Sequence, residues 1–429
     1  MSIQQNFPAI SPSLNLNFAR SKTLDPRITF SRTTTATRVN EQGLVEVVSA
    51  DIPRFDHEYE NGVIKSLGLL VEEERSNLLT YSADFNNWSK IRSYISGVNV
   101  ISPDGTESAN KIVEDNSLGT HYVRKLPTVS ADAVCAISVY VKSAQRSQFA
   151  INTYGSNGWN ASLTAIYDLP TGNITGTNAE NCTINAVGNG WYRATYIATK
   201  NSTSGTANVD FYTALNGNVS YQGDNSSGIY LWGAQLEEGA FPTSYIPTTS
   251  GGTATRNPDT VTMTGDNFSD WYNQEQGSFL WIGNVYSREI SPVNPFRVNQ
   301  GANLRGLGIQ FDTRSANNSA TFASRTQSSN IPAKIAPSGI IPSDNKIKIA
   351  GGYIESVGLS TIRAAFNGLP EDSYSGSSQT DITYDTMYEI EIMGNRGISG
   401  TNNQFTGVCE QLVYYPRIFT DDQLQNLTK

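Results

Sequence analysis

The stretch GAQLEEGAFPTSYIPTTSGGTATRNPD runs from Gly233 to Asp259. It begins as the tail of an apolar run, Ile229-Tyr230-Leu231-Trp232, and ends among Gly, Thr, Asn and Pro. Aromatic and β-branched residues giving way to turn formers mark the end of a strand. After Pro247 the segment TTSGGTATRNPD has no apolar anchor, which predicts a semi-flexible link. The stretch therefore reads as the closing strand of one domain and the tether to another.

The same punctuation recurs on both sides. AISVYVK (Ala136–Lys142), WYRATYIAT (Trp191–Thr199), NVDFYTAL (Asn208–Leu215) and GIYLWGA (Gly228–Ala234) precede the tether. SFLWIGNVY (Ser278–Tyr286), KIKIAGGYI (Lys346–Ile354), YEIEIMG (Tyr388–Gly394) and FTGVCEQLVYY (Phe405–Tyr415) follow it. Turn residues separate these runs at sandwich-like spacing. Long helical periodicity and a βαβ rhythm are both missing, so the expected fold class is all-β, built of sandwiches. Two short helices are expected. One lies near Val71–Leu79. The other follows Thr420-Asp421-Asp422-Gln423, a capping box with Thr420 as N-cap and Gln423 at N3. The expected modules are residues 1–80, 81–250 and 251–429.

Composition narrows the function. Of 429 residues, 38% are hydrophobic, enough for sizeable cores. Only 16% are charged and the net charge is −9. No basic run is present to neutralise phosphates, so nucleic acid is not an expected partner. No apolar stretch reaches the ~18 residues of a spanning helix, so membrane insertion is not expected. MSIQQNFPAISPS has neither a basic n-region nor an apolar h-region, so no secretory signal is expected. Cys135, Cys182 and Cys409 are an odd, sparse set with no CxxC, against a disulfide framework or a zinc site. Cys135, inside AVCAISVYV, reads as a buried small hydrophobe.

Catalytic motifs are scarce. There are two histidines, His57 and His121, and no G-x-S-x-G elbow, so both read as structural or surface residues. RGLGIQ (Arg305–Gln310) lacks the third glycine of a dinucleotide loop and reads as a strand. Glu389 and Glu391 share one strand face, as the carboxylates of a glycoside hydrolase would. With Ile390 between them and Ile392 beside them, they read instead as the solvated face of a half-buried strand. No catalytic residues are assigned, and the chain is not expected to be an enzyme.

Binding is better supported. A pyranose packs its C–H face on an aromatic ring while its hydroxyls need amide and carboxylate partners. The loops TYGSNGWN (Thr153–Asn160) and SYQGDNSSG (Ser220–Gly228) place Tyr154, Trp159 and Tyr221 among Asn, Asp and Gln. These three are the candidate carbohydrate-binding residues, against the alternative that each ring caps the local core. Trp191 and Trp232 sit within strands and read as core. No cofactor is expected. Asp104 and Asp224, in oxygen-rich turns, leave structural calcium open, although one turn does not supply six to eight oxygens. VEEERSN (Val71–Asn77) reads as a solvated acidic helix face or as an intersubunit salt-bridge collar.

Several segments resemble a known family. IYLWGAQLEEGAFPTSYIPT (Ile229–Thr248) resembles the end of a carbohydrate-binding-module-like jelly roll of phage tail proteins. LLTYSADFNNWSK (Leu78–Lys90), SPDGTESANKI (Ser102–Ile112) and NGWYRATY (Asn189–Tyr196) resemble its earlier segments, in order. FSRTTTATRVNEQGLVEVVSADIPRFDH (Phe30–His57) and SLGLLVEEERSNLL (Ser66–Leu79) resemble the module that precedes it. GVCEQLVYYPRIFTDDQLQNL (Gly407–Leu427) is similar to the ending of concanavalin-A-like, laminin-G-like lectin domains. The resemblance implies a virion protein, a tail fibre that binds host surface polysaccharide, often as a homotrimer, attached to tail or baseplate proteins through residues 1–80. The rival expectation is a purely structural adaptor or decoration protein. A glycan hydrolase is a distant third.

Overall fold

The computed structural model describes residues 10–429 apart from 98–99, 178, 287–292, 300–305, 313–318, 326–329, 335–345, 357–358, 368, 371–373, 377–386 and 394–404. The architecture is all-β: two sandwiches, each of two packed sheets. No helix among the described residues is long and apolar enough to cross a membrane.

The middle sandwich is built from two six-stranded sheets. One orders Cys182–Gly188, Trp191–Thr199, Val134–Ser143, Gly228–Glu238, Asn110–Glu114 and Ser93–Ile95. The other orders Asn173–Gly176, Leu163–Asp168, Gln148–Thr153, Val209–Ala214, Tyr122–Lys125 and Ser89–Ile91. The period of two decides what lies between them. In VCAISVYVKS, Cys135, Ile137, Val139 and Val141 enter a core with Phe149, Ile151, Tyr167, Phe211 and Leu231. The alternate residue Tyr140 points the other way, yet it is also buried, against Trp191, Trp232 and Tyr245. Both faces of this strand are covered, which is why it reads as one continuous apolar run.

The second sandwich draws on both ends of the chain. Its larger sheet carries Gln276–Val285 beside Gly407–Tyr415, and Gly407–Tyr415 pairs in turn with Val63–Val71 and with Leu14–Asn17. Its smaller sheet pairs Thr29–Ser31 with Thr260–Thr264, which pairs with Glu389–Ile392. One core joins them, from Leu14, Phe55 and Leu69 to Trp281, Phe296, Ile390 and Tyr414. Strands from the expected 1–80 module therefore pair into the expected 251–429 sandwich, and the middle sandwich is inserted between. The two crossings run side by side, Arg75–Asn77 antiparallel to Ala254–Arg256.

That pairing corrects two expectations. Residues 71–79 are not helical: Val71 ends a strand, and Arg75–Asn77 is another. The supposed tether is ordered chain, with Arg256 and Asp259 buried and only residues 249–253 and 255 exposed. Polar composition misled here because the anchors are charges rather than apolar side chains. Arg54 donates to Glu72 Oε2 at 2.6 Å and to Asp259 Oδ2 at 2.5 Å. Arg32 reaches Asp259 Oδ1 at 3.0 Å, and Arg256 lies 3.0 Å from Glu72 Oε2. Ser244 adds its N–H and hydroxyl to Glu72 at 2.7 and 2.6 Å. VEEERSN is thus not a solvated helix face: Glu72, Glu73 and Arg75 are buried within the chain, and Arg75 pairs with Glu73. Gly239 serves the same junction. At φ +155° it lets the chain pass a guanidinium, for a Cβ there would lie 1.5 Å from Arg75 Nη1.

The C-terminal helix, Asp421–Thr428, forms as expected, with both bonds of the Thr420–Gln423 capping box present and Leu424 buried. Cys135 is buried, as expected.

Two outcomes follow from the buried charges. Asp259→Ala leaves Arg32 and Arg54 desolvated without their shared carboxylate. It should lower the unfolding free energy by about 3–5 kcal/mol in urea titrations; a loss below about 1 kcal/mol would show that the cluster is not a structural anchor. Burial alone would raise the Glu72 carboxyl, but Arg256 and Arg54, with Ser244, overcome it and hold the pKa at about 2 against an ordinary 4.5. A depressed carboxylate contributes stability above its unfolded pKa and loses it as pH falls. The stability gap between wild type and Glu72→Gln should be full above pH 4.5, about 3 kcal/mol at most, and should shrink toward zero as pH falls to about 2.

Candidate functional site

The residues singled out from sequence separate in the structure. Trp159 is 2% exposed and its indole N–H donates to the Asn208 carbonyl at 2.7 Å. Tyr221 is 8% exposed, and its hydroxyl meets Glu114 Oε2 at 2.6 Å and Thr213 Oγ1 at 2.7 Å. Both rings are spent on the core, so neither offers a face to a sugar. The loops around them look polar in sequence because their backbone turns, but the rings fold inward. Tyr154 is different. It is half-buried and lies on the outer face of the Val209–Ala214 sheet.

Register builds a platform around it. Tyr122 pairs with Tyr212, and Tyr212 with Ala150. One row along, Arg124 pairs with Asp210, Asp210 with Asn152, and Asn152 with Thr164. Paired residues share a face, and the alternates Val123, Phe211 and Ile151 fill the core. Tyr154, two residues beyond Asn152, continues the outer face. Tyr122 and Tyr212 stack at 4.3 Å and 22°. The Tyr154 and Tyr212 hydroxyls are 3.0 Å apart. Arg124 lies over both Tyr122 and Tyr154, at 5.1 and 5.9 Å from the ring centres.

The charges beneath hold this surface still. Arg124 makes a two-point contact with Asp210, Nε to Oδ1 at 2.7 Å and Nη2 to Oδ2 at 2.6 Å. Asn208 adds a bond to Asp210 Oδ2 at 2.9 Å. Asp210 is fully buried, and burial pushes its carboxyl up while Arg124 pulls it down. The same bonds keep Arg124 firmly protonated. Asn152 donates to Thr164 Oγ1 and leaves Oδ1 buried without a partner. Turning the amide over only exchanges which of its two polar atoms is left over. The site thus offers two half-buried rings and a guanidinium edge at Nη1, while the leftover Asn152 atom stays buried.

Tyr122, Arg124 and Tyr212 were not singled out from sequence. Their signal was the alternation Y-x-R in HYVRK and D-x-Y in VDFY, which fixes a face within each strand. Nothing in either string says that the strands are neighbours.

Other expected positions fall elsewhere. Trp191 and Trp232 are core, as expected. Glu389 and Glu391 do share a face opposite Ile390 and Ile392, but they are not solvated: they are 6% and 2% exposed, in a strand paired on both sides. His57 and His121 are buried. Arg305 lies outside the described residues, and Gly306–Asp312 is a strand. Asp104 accepts from Thr106 N at 3.0 Å and Ser102 Oγ at 2.5 Å, and Asp224 from Ser226 N at 2.8 Å and Ser227 N at 2.7 Å. Each carboxylate is occupied by its own turn, and among the described residues no group of three or more metal-ligating side chains comes together.

No family model matches the chain, and no curated protein matches it significantly. Among solved structures, CBM40 of the Ruminococcus gnavus IT-sialidase, bound to α2,3-sialyllactose, covers 37% of this chain and 84% of its own at 15% identity and TM-score 0.29. A native heptameric SAP-like pentraxin from Limulus polyphemus covers 36% and 70%, at 11% identity and TM-score 0.27. Domains LG4-5 of the mouse laminin α1 chain cover 71% and 90%, at 10% identity and TM-score 0.22. Likeness at this level carries no argument about ligand or activity.

Proposed function

We propose that this chain is a phage tail fibre component that binds host surface glycan without turnover, through the outer face of the middle sandwich. The observation that carries the reading is the Tyr122–Arg124–Tyr154 surface, held in place by buried Asp210 and Tyr212. A pyranose ring on Tyr122 or Tyr154 would keep its hydroxyls within reach of the Arg124 guanidinium. Fixed rings and a pre-paired cation lose little freedom on binding. A single such contact is weak, and display as a homotrimer would raise its effective strength through local concentration. The virion setting and the trimer rest on the sequence resemblance.

Attachment to tail or baseplate proteins is proposed through residues 1–80. That stretch leaves Val47, Ile52 and Val63 more than half exposed, at 61%, 52% and 54%. Apolar side chains of this kind suit a protein partner. The same observation favours the rival reading, a structural component that uses its surfaces only for protein contacts.

Full-length protein on an array of bacterial surface oligosaccharides separates the two. Tyr154→Ala should weaken binding about tenfold, the scale of one lost ring contact. Tyr154→Phe, which keeps the ring and drops the hydroxyl contact with Tyr212, should retain most of it. An array without a saturable binder, or one indifferent to Tyr154→Ala and Tyr122→Ala, would favour the structural reading.

A further inference from the structure

The charges on and beside the Tyr122–Tyr154 surface bear on which class of glycan suits it. Arg124 is its central cation and is partly exposed, while Asp210, its two-point partner, is fully buried beneath it. The register places a second carboxylate on the same face. Asp168 pairs with Gln148, and Gln148 with Ala214, two residues along from Tyr212. Asp168 accepts from Gln148 Nε2 at 2.8 Å and from Thr171 Oγ1 at 2.8 Å, bonds that lower its pKa and keep it charged.

The neighbours add no surplus of positive charge. Arg92 is exposed at the rim, where its field reaches both the Tyr122 hydroxyl and the Asp115 carboxylate. Lys125 and Lys90 pair with Val209 and Val123, whose side chains fill the core, so both belong to the opposite face. Their amines are spent there on the Asn87 and Asn86 carbonyls. Among the described residues, Arg92 and Arg124 thus sit with Asp115, Asp168 and Asp210, in a chain whose net charge is −9.

That balance treats two kinds of sugar differently. An incoming carboxylate meets a guanidinium that is already paired. Its attraction to Arg124 is offset by repulsion from Asp210 and Asp168, and it must shed its own hydration to approach. A hydroxyl needs only a donor or an acceptor, and the Arg124 Nη1 edge and the tyrosine hydroxyls supply both. We propose that this surface selects uncharged hexoses over uronic, sialic and phosphate-bearing sugars, and that Asp210 is the residue that sets the selection. The inference rests on the reading of this surface as the glycan site. Asp210 touches no sugar; it acts by cancelling the charge of Arg124.

The test compares matched ligands. Full-length protein is measured against the array oligosaccharides that bind it in a Tyr154-dependent way, each neutral one beside its own C6-oxidised uronate of the same linkage and length. The neutral form should bind about tenfold tighter. Its Kd should change less than about twofold between low salt and about 0.5 M salt, because no net attraction is there to be screened. Asp210→Asn keeps the size of the side chain and frees the charge of Arg124, so it should bring the two forms within about threefold of each other. A merely structural role for Asp210 would weaken both forms alike and leave their ratio unchanged. Asp168→Asn, at a half-buried position, should narrow the gap about twofold. It carries the test if Asp210→Asn loses the near-ultraviolet circular dichroism of the wild type. Tyr154-dependent binders that are mainly acidic, a uronate that binds as tightly as its neutral parent, or a gap unmoved by the folded variants would overturn the selectivity and leave the Tyr154 reading standing. The absence of any Tyr154-dependent binder would overturn that reading and this one with it.

Discussion

Asp259 is the residue on which the architecture depends. Its two oxygens hold Arg32 and Arg54, and Oδ2 also accepts the Glu72 backbone N–H at 2.9 Å. Arg32 and Arg54 come from the N-terminal stretch, and Glu72 closes it before the inserted sandwich begins. Asp259 comes after the chain has returned. Removing charge from water is expensive, and the cost is offset only where opposite charges meet in good geometry, as they do here although Arg54 Nε and Arg256 Nε stay unpaired. That requirement makes the junction specific: a chain returning in another register would bury two guanidinia with no carboxylate between them.

The junction also explains how an inserted domain can be held firmly. Entry and exit strands form a short ladder, Arg75–Asn77 with Ala254–Arg256. The tail Phe241–Thr248 then folds back across the middle sandwich, where Tyr245 closes the Tyr140–Trp232 cluster. Its carbonyl accepts from Thr37 Oγ1 at 2.5 Å, on the strand Ala36–Val39 that pairs with Val45–Val48. Asn77 takes two carbonyls, Ala234 at 3.1 Å and Ile246 at 2.9 Å. With polar bonds on one side and aromatic packing on the other, the two sandwiches meet over a shared surface instead of hanging from a thread.

The candidate recognition surface uses the same means on a smaller scale. A buried carboxylate, Asp210, fixes a guanidinium, and the guanidinium spaces two tyrosine rings. Trp159 and Tyr221 illustrate the opposite outcome. Each has a polar tip that finds a partner inside, which allows the whole ring to be buried.

The sequence alone determined the all-β class, four strands of the middle sandwich (Val134–Ser143, Trp191–Thr199, Val209–Ala214 and Gly228–Glu238), the burial of Cys135 and the capped C-terminal helix. Those follow from period-two alternation and from contacts within a few residues, which any short window records. It did not determine that Leu14–Asn17 lies against Gly407–Tyr415, that Arg256 and Asp259 are buried anchors, or that Glu389 and Glu391 are covered. Nor could it bring Tyr122, Arg124 and Tyr154 together. A charged residue looks the same in a string whether water or an opposite charge surrounds it. Which strand lies beside which is set by packing and charge pairing between residues hundreds of positions apart, and only the folded chain brings those residues into contact.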